Sequence, residues 1–267
     1  MKPVESLKVE RAESFLSRMG ARVLLACEEA GNMVVLFAQS VRECRGAPAH
    51  PERIFVQMKR IGNDTLFIAS AISLFIGMVL ALHSGYTLRK FDFERALASI
   101  VALSIVKEMG PVITGLLLAG RIGAAIAAEI GTMQVNEEID ALHTLGISPV
   151  RYLAMPRLIG CVTMLPILVA FASIVGIFGG GVIASLYFDM TYHQYFQTAF
   201  QAMVFKDIAE GQIKAVLFGA IIATIACHRG FSTRGGAEGV GRAITNCVVT
   251  SFICIIIGDF FVTRFMM

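Results

Sequence analysis

The chain has 267 residues, of which 56% are hydrophobic and 16% charged, and its mean hydropathy is +0.71. A water-facing globule carries charge on nearer a quarter of its residues, so composition excludes a soluble domain and marks an integral membrane protein. The net charge of +3 gives no footprint for a nucleic-acid partner, and the six cysteines contain no Cys-x-x-Cys pair, which reads as small buried hydrophobes rather than a disulfide or metal framework.

The N-terminal residues are rich in Lys, Arg and Glu and lack the short apolar core of a cleaved signal peptide. Val23–Val41 is apolar in part. Glu28, Glu29 and Asn32 interrupt it, and Arg11, Arg18, Arg22, Arg42 and Arg45 flank it. That pattern predicts an amphipathic helix lying in the membrane interface. Pro51 suits the first turn of a second helix, Glu52–Arg60, leading into the first span. Residues 1–60 are therefore read as an N-terminal cytoplasmic and interfacial region, and 61–267 as the membrane-spanning domain.

Five apolar stretches follow, with spans expected over 63–82, 96–120, 158–188, 208–227 and 243–263. A bilayer core of about 30 Å needs about 20 apolar residues. The first, third and fifth meet this easily. The fourth is the weakest, since Ile213–Cys227 is bounded by Lys214 and needs Ile208–Gly211 to reach across. In the second, no turn signal other than Gly110-Pro111 interrupts Ala96–Gly131. A straight helix of that length runs about 54 Å, so it either projects beyond the bilayer or breaks at the proline. Sixteen of the 23 Lys and Arg fall before the first span and in the second-to-third and fourth-to-fifth connections, against six on the other side. The positive-inside rule then places the N-terminus in the cytoplasm and the C-terminus outside.

Between the second and third spans, Val135, Ile139, Leu142 and Leu145 recur at helical spacing with Glu137, Glu138 and Asp140 off the stripe. Gly146 stops this helix and Pro149 prevents its restart. Its polar face is acidic and the inner leaflet is anionic, so docking to a protein is favoured over lying on the bilayer. Lys107 and Glu108 fall inside the second span, where ionisable groups are costly and face protein or water. Small residues recur at four-residue spacing at Ala119, Gly123, Ala127 and Gly131, at Gly176 and Gly180, and at Gly219 and Ala223, which predicts close helix packing. The chain holds no Gly-x4-Gly-Lys-Ser/Thr, no His-Glu-x-x-His and no Gly-x-Ser-x-Gly, and its five His are scattered. No nucleophile-and-base set or metal cluster supports an enzyme. An ion-coupled secondary transporter using Lys107, Glu108 and Asp259 is the alternative from a different class, though the sequence shows no inverted repeat.

Two runs carry a family resemblance. They are Gly120-Arg121-x-Gly123-x-Ala125-x3-Glu129-x-Gly131-Thr132-Met133 and Glu137-Glu138-Ile139-Asp140-Ala141-Leu142-x-x-Leu145-Gly146-Ile147-x-Pro149-x-Arg151-Tyr152-Leu153-x-x-Pro156-Arg157. Together with Phe75–Leu80 and Lys107–Val112, they resemble the MlaE/YrbE-type permease family over roughly residues 60–265. His143 and Ser148 depart from the family's common Arg and Asp. The resemblance implies an all-α integral membrane fold of five transmembrane helices, preceded by an N-terminal interfacial helix and carrying a cytoplasmic coupling helix, Val135–Leu145, between spans 2 and 3. It implies an ABC-transporter permease that moves phospholipids in a bacterial inner membrane. Its partners would be a second permease copy, a cytoplasmic ATPase that binds the ATP and Mg, and an MCE-domain, MlaD-like protein on the outer side. Glu137, Glu138, Ile139, Asp140, Leu142 and Leu145 would then meet the ATPase, with Arg121 and Glu129 supporting them from the preceding helix. The lipid cavity would draw on Phe75, Met78, Val79, Leu82, Tyr86, Lys107 and Glu108.

Overall fold

The computed structural model describes residues 20, 24, 27–44 and 51–266, and among these every regular element is helical. Val23, Arg11, Arg18, Arg22 and Arg45, named above for the interfacial helix, lie outside the described residues. The remainder of that helix, α1, covers 27–43. The elements after it are α2 (Pro51–Arg89), α3 (Glu94–Val135), α4 (Glu138–Thr144), α5 (Val150–Tyr187), α6 (Tyr192–Ala202), α7 (Phe205–Phe231) and α8 (Gly236–Met266). Five of these, α2, α3, α5, α7 and α8, are long and apolar enough to cross a membrane, so the chain is a multi-pass membrane protein.

The spanning helices outrun their apolar cores. The expected short helix over Glu52–Arg60 is continuous with the first span in the 39-residue α2. The second span is a 42-residue helix, about 63 Å long at 1.5 Å per residue. It does not break at Gly110-Pro111. Instead a widened π-turn, Ile105–Met109, immediately precedes the proline, and a second, Ala119–Gly123, follows one helical segment later. Proline has no N–H to give the carbonyl four residues back and its ring crowds that turn, so local widening absorbs what a regular helix would not tolerate. A third wide turn, Val150–Ala154, opens α5.

Packing is close because small residues sit where helices cross. A Cβ at Gly77 of α2 would stand 1.9 Å from the Gly176 carbonyl oxygen of α5, and one at Gly179 would stand 2.4 Å from the Leu74 carbonyl. Only glycine lets these backbones approach so far. The core divides in two. The larger part joins α3, α5, α7 and α8 around Leu118, Ile126, Leu165, Phe218 and Ile222 near the α4 end. The smaller joins α2, α3 and α5 to the unpredicted helix α6, through Val101, Ile105, Ile177 and Tyr195, at the opposite end.

Candidate functional site

At one end of the bundle α4 hangs between the long helices. Its start differs from the sequence expectation. Val135 closes α3, and Glu137 takes a left-handed backbone (φ 59°) that turns the chain before α4 begins at Glu138. The stripe therefore splits. Ile139 is buried in the core at 4% exposure, Leu142 is half-buried against it, and Leu145 is 72% exposed. Glu137, Glu138 and Asp140 are all exposed. One residue anchors the helix and its acidic side stands free. Behind it, a cavity of ≈ 670 Å³ opens between α1, α4 and the end of α7, lined among others by Arg42, Asp140, His143 and Phe231.

The helices around α4 are tied by charge. Glu129 of α3, beyond the predicted end of span 2, accepts from Arg60 of α2 through one carboxylate oxygen and from Arg157 of α5 at 3.0 Å through the other. Arg121, within the second widened turn of α3, donates to Thr65 of α2 at 3.3 Å. The Arg53 guanidinium lies 4.0 Å over the Tyr152 ring. The α1 helix is held to this end by Glu29, which accepts both terminal nitrogens of Arg229 at 3.2 and 3.0 Å, and by Glu43 at 3.9 Å from Arg151.

Toward the other end, the two ionisable residues foreseen in span 2 belong to a larger cluster. Lys107 pairs with Asp207 at 3.2 Å and Glu210 at 3.0 Å, both on α7. Glu108 pairs with Lys214 of α7 at 2.8 Å and accepts from Thr263 of α8 at 3.2 Å. Lys214, fully buried, also meets Asp259 of α8 at 3.0 Å and donates to the Lys107 carbonyl at 3.0 Å. That carbonyl is the one Pro111 leaves without an α-helical donor, so the ammonium completes the turn as it neutralises the carboxylates. Adjacent residues on a helix point about 100° apart, which is why Lys107 and Glu108 reach separate partners. Sequence reading missed Asp207, Glu210 and Lys214. Their i, i+3, i+7 spacing on the weakest span was the available signal.

The expected cavity residues on α2 share one helical face. Phe75, Val79 and Tyr86 point outward from a single copy, while Met78 and Leu82 are half-buried. Tyr86 also stacks edge-on against Phe188 at 5.6 Å. Glu108 and Lys107 turn from this face toward α7 and α8, so one copy does not gather all seven residues around one enclosed space.

The sequence profile of the family described as Permease MlaE matches residues 54–265. A probable ABC transporter permease protein of Rickettsia conorii is 38% identical over 92% of this chain and 95% of its own length. One from Synechocystis is 38% identical over 79% of this chain and 80% of its own. The chloroplastic protein TRIGALACTOSYLDIACYLGLYCEROL 1 of Arabidopsis thaliana is 34% identical over 86% of this chain and 66% of its own. Five long apolar helices, close helix packing and a profile match over most of the chain agree, and the chain belongs to the MlaE permease family as a membrane-spanning permease subunit of an ABC transporter.

Proposed function

We propose that the chain moves phospholipids or related lipids across or out of a bacterial inner membrane, driven by a separate cytoplasmic ATPase that docks on α4. The observation that carries this reading is α4 itself. It is a seven-residue helix anchored by Ile139, with Glu137, Glu138 and Asp140 exposed between the roots of two long spans. ATP and Mg would sit on the partner, and rocking of the spans would follow from its closure, a rigid-body switch. The positive-inside count puts α4 on the cytoplasmic face and the C-terminus in the periplasm, where an MCE-domain protein would receive or deliver lipid. The Arabidopsis relative, named for a diacylglycerol lipid, supports a lipid substrate.

A lipid with two tails needs an apolar, roomy site open to the bilayer. The least buried spanning stretches are those of α2 (28%) and α8 (17%), against 44–50% for the other three. These open faces fit a site formed between two copies, with Phe75, Met78, Val79, Leu82 and Tyr86 on its wall and Lys107 and Glu108 available to a headgroup. The ion-coupled alternative draws on the fact that Glu108 and Asp259 meet at Lys214, beside Lys107. Membership of an ABC permease family favours ATP as the energy source instead.

The test is a mild-detergent pull-down from the native membrane with mass spectrometry of proteins and lipids. An ABC ATPase, an MCE-domain protein and phospholipid are expected with the wild-type chain. Replacing Glu137 and Glu138 with Lys is expected to abolish ATPase capture while membrane insertion persists. A chain that captures no ATPase, even after crosslinking at position 137, overturns the reading.

A further inference from the structure

Charge holds the two roots of the α4 loop together. Glu129 stands on α3 ahead of the loop and Arg157 on α5 behind it, and they pair directly at 3.0 Å. The second carboxylate oxygen of Glu129 is taken by Arg60, so the base of α2 joins the same unit. Arg157 is only 7% exposed, and its other terminal nitrogen donates to the Leu153 carbonyl at 2.9 Å, in the wide turn where α5 begins. Stability alone does not call for this arrangement. A buried guanidinium is costly to desolvate, and an apolar side chain of similar volume packs as well or better. The ion pairs add directional ties between three helices to the apolar core that Ile126, Ile130, Leu153 and Leu158 share at these roots. Of the segment between α3 and α5, only Ile139 and Pro149 are buried, so the loop itself contributes little to holding its roots in register.

We propose that Arg60, Glu129 and Arg157 form a transmission clamp. As positioning residues, they lock both roots of the α4 loop and the base of α2 into one rigid body, so that a push on α4 is delivered to the first three spans instead of being absorbed in the loop. The proposal rests on the reading that an ATPase docks on α4. It assigns a role to Arg60 and Arg157 and makes the triad a mechanical element distinct from the docking face.

The test uses the permease with its co-purified ATPase in vesicles of phosphatidylethanolamine and phosphatidylglycerol, carrying a fluorescent phosphatidylethanolamine as probe. ATP hydrolysis and probe movement are measured together. E129Q, which removes the shared charge at constant size, is expected to capture the ATPase and hydrolyse ATP yet move about tenfold fewer lipids per ATP, the scale of a coupling carried by a few contacts. E129D, which restores the charge, is expected to recover most of the ratio. R60Q leaves the part-buried Glu129–Arg157 pair in place and is expected to give an intermediate ratio, which keeps the test decisive if E129Q does not fold. Lipids moved per ATP equal to wild type in a folded E129Q, or in R60Q where E129Q aggregates, overturns the clamp alone. A wild-type chain that captures no ATPase overturns the clamp and the docking reading together.

Discussion

Lys214 shows how one side chain can serve several helices. Its ammonium is fully buried, answers Glu108 and Asp259, and fills the carbonyl that Pro111 strands. Removing one partner of a buried pair leaves charge uncompensated, so K214M is expected to cost about 3 kcal/mol, the lower end of that class because Glu108 is partly exposed. Thermal unfolding in detergent checks this. Lys107 and Glu108 were legible as functional candidates because charge inside an apolar run is conspicuous. Their partners were not, since Lys214 is more than a hundred residues away and sequence separation says nothing about contact.

At the scale of elements, glycine sets the distance between α2 and α5. G77A would push a methyl group against the backbone of Gly176 and is expected to destabilise by about 1–3 kcal/mol, as overpacking does, with the loss visible as a lower unfolding temperature. The two ends of the α4 stripe are expected to behave differently. I139A should cost about 2–4 kcal/mol, because it empties a buried site. L145A should stay within about 0.5 kcal/mol of wild type, as exposed positions do, yet weaken ATPase capture. Periodicity predicted the α4 helix but misplaced its start at Val135. Apolar spacing cannot register the left-handed turn at Glu137, which the junction of two helices imposes. The long second span was legible as a length that exceeds the bilayer. Its solution, a wide turn before Pro111 rather than a break, depended on the helices packed around it.

For the whole molecule, the two ends divide the labour. Ion pairs and a cation–π contact bind α1, α2, α3 and α5 around α4, while the buried charge cluster joins α3, α7 and α8 toward the far end. The open faces of α2 and α8 make the two-copy arrangement testable. With Cys27, Cys44 and Cys254 replaced by serine, F75C and F260C are expected to crosslink between copies in native membranes. I174C, equally exposed but on α5, is expected to remain monomeric on the same gel. Crosslinking at position 174 alone would place the copy interface elsewhere.

By itself, the sequence determined what depends on local composition. Runs of apolar residues specify the five spans because a bilayer admits only segments whose backbone satisfies itself. The basic bias sets the expected orientation, and the motif around residues 121–157 marks the family. Tertiary structure alone decided what depends on residues distant in the chain. It placed Lys214 among three carboxylates, Glu129 between two arginines, and α6 against the start of α3. Charges at membrane depth must find partners wherever folding brings them, and no spacing along the chain encodes that encounter.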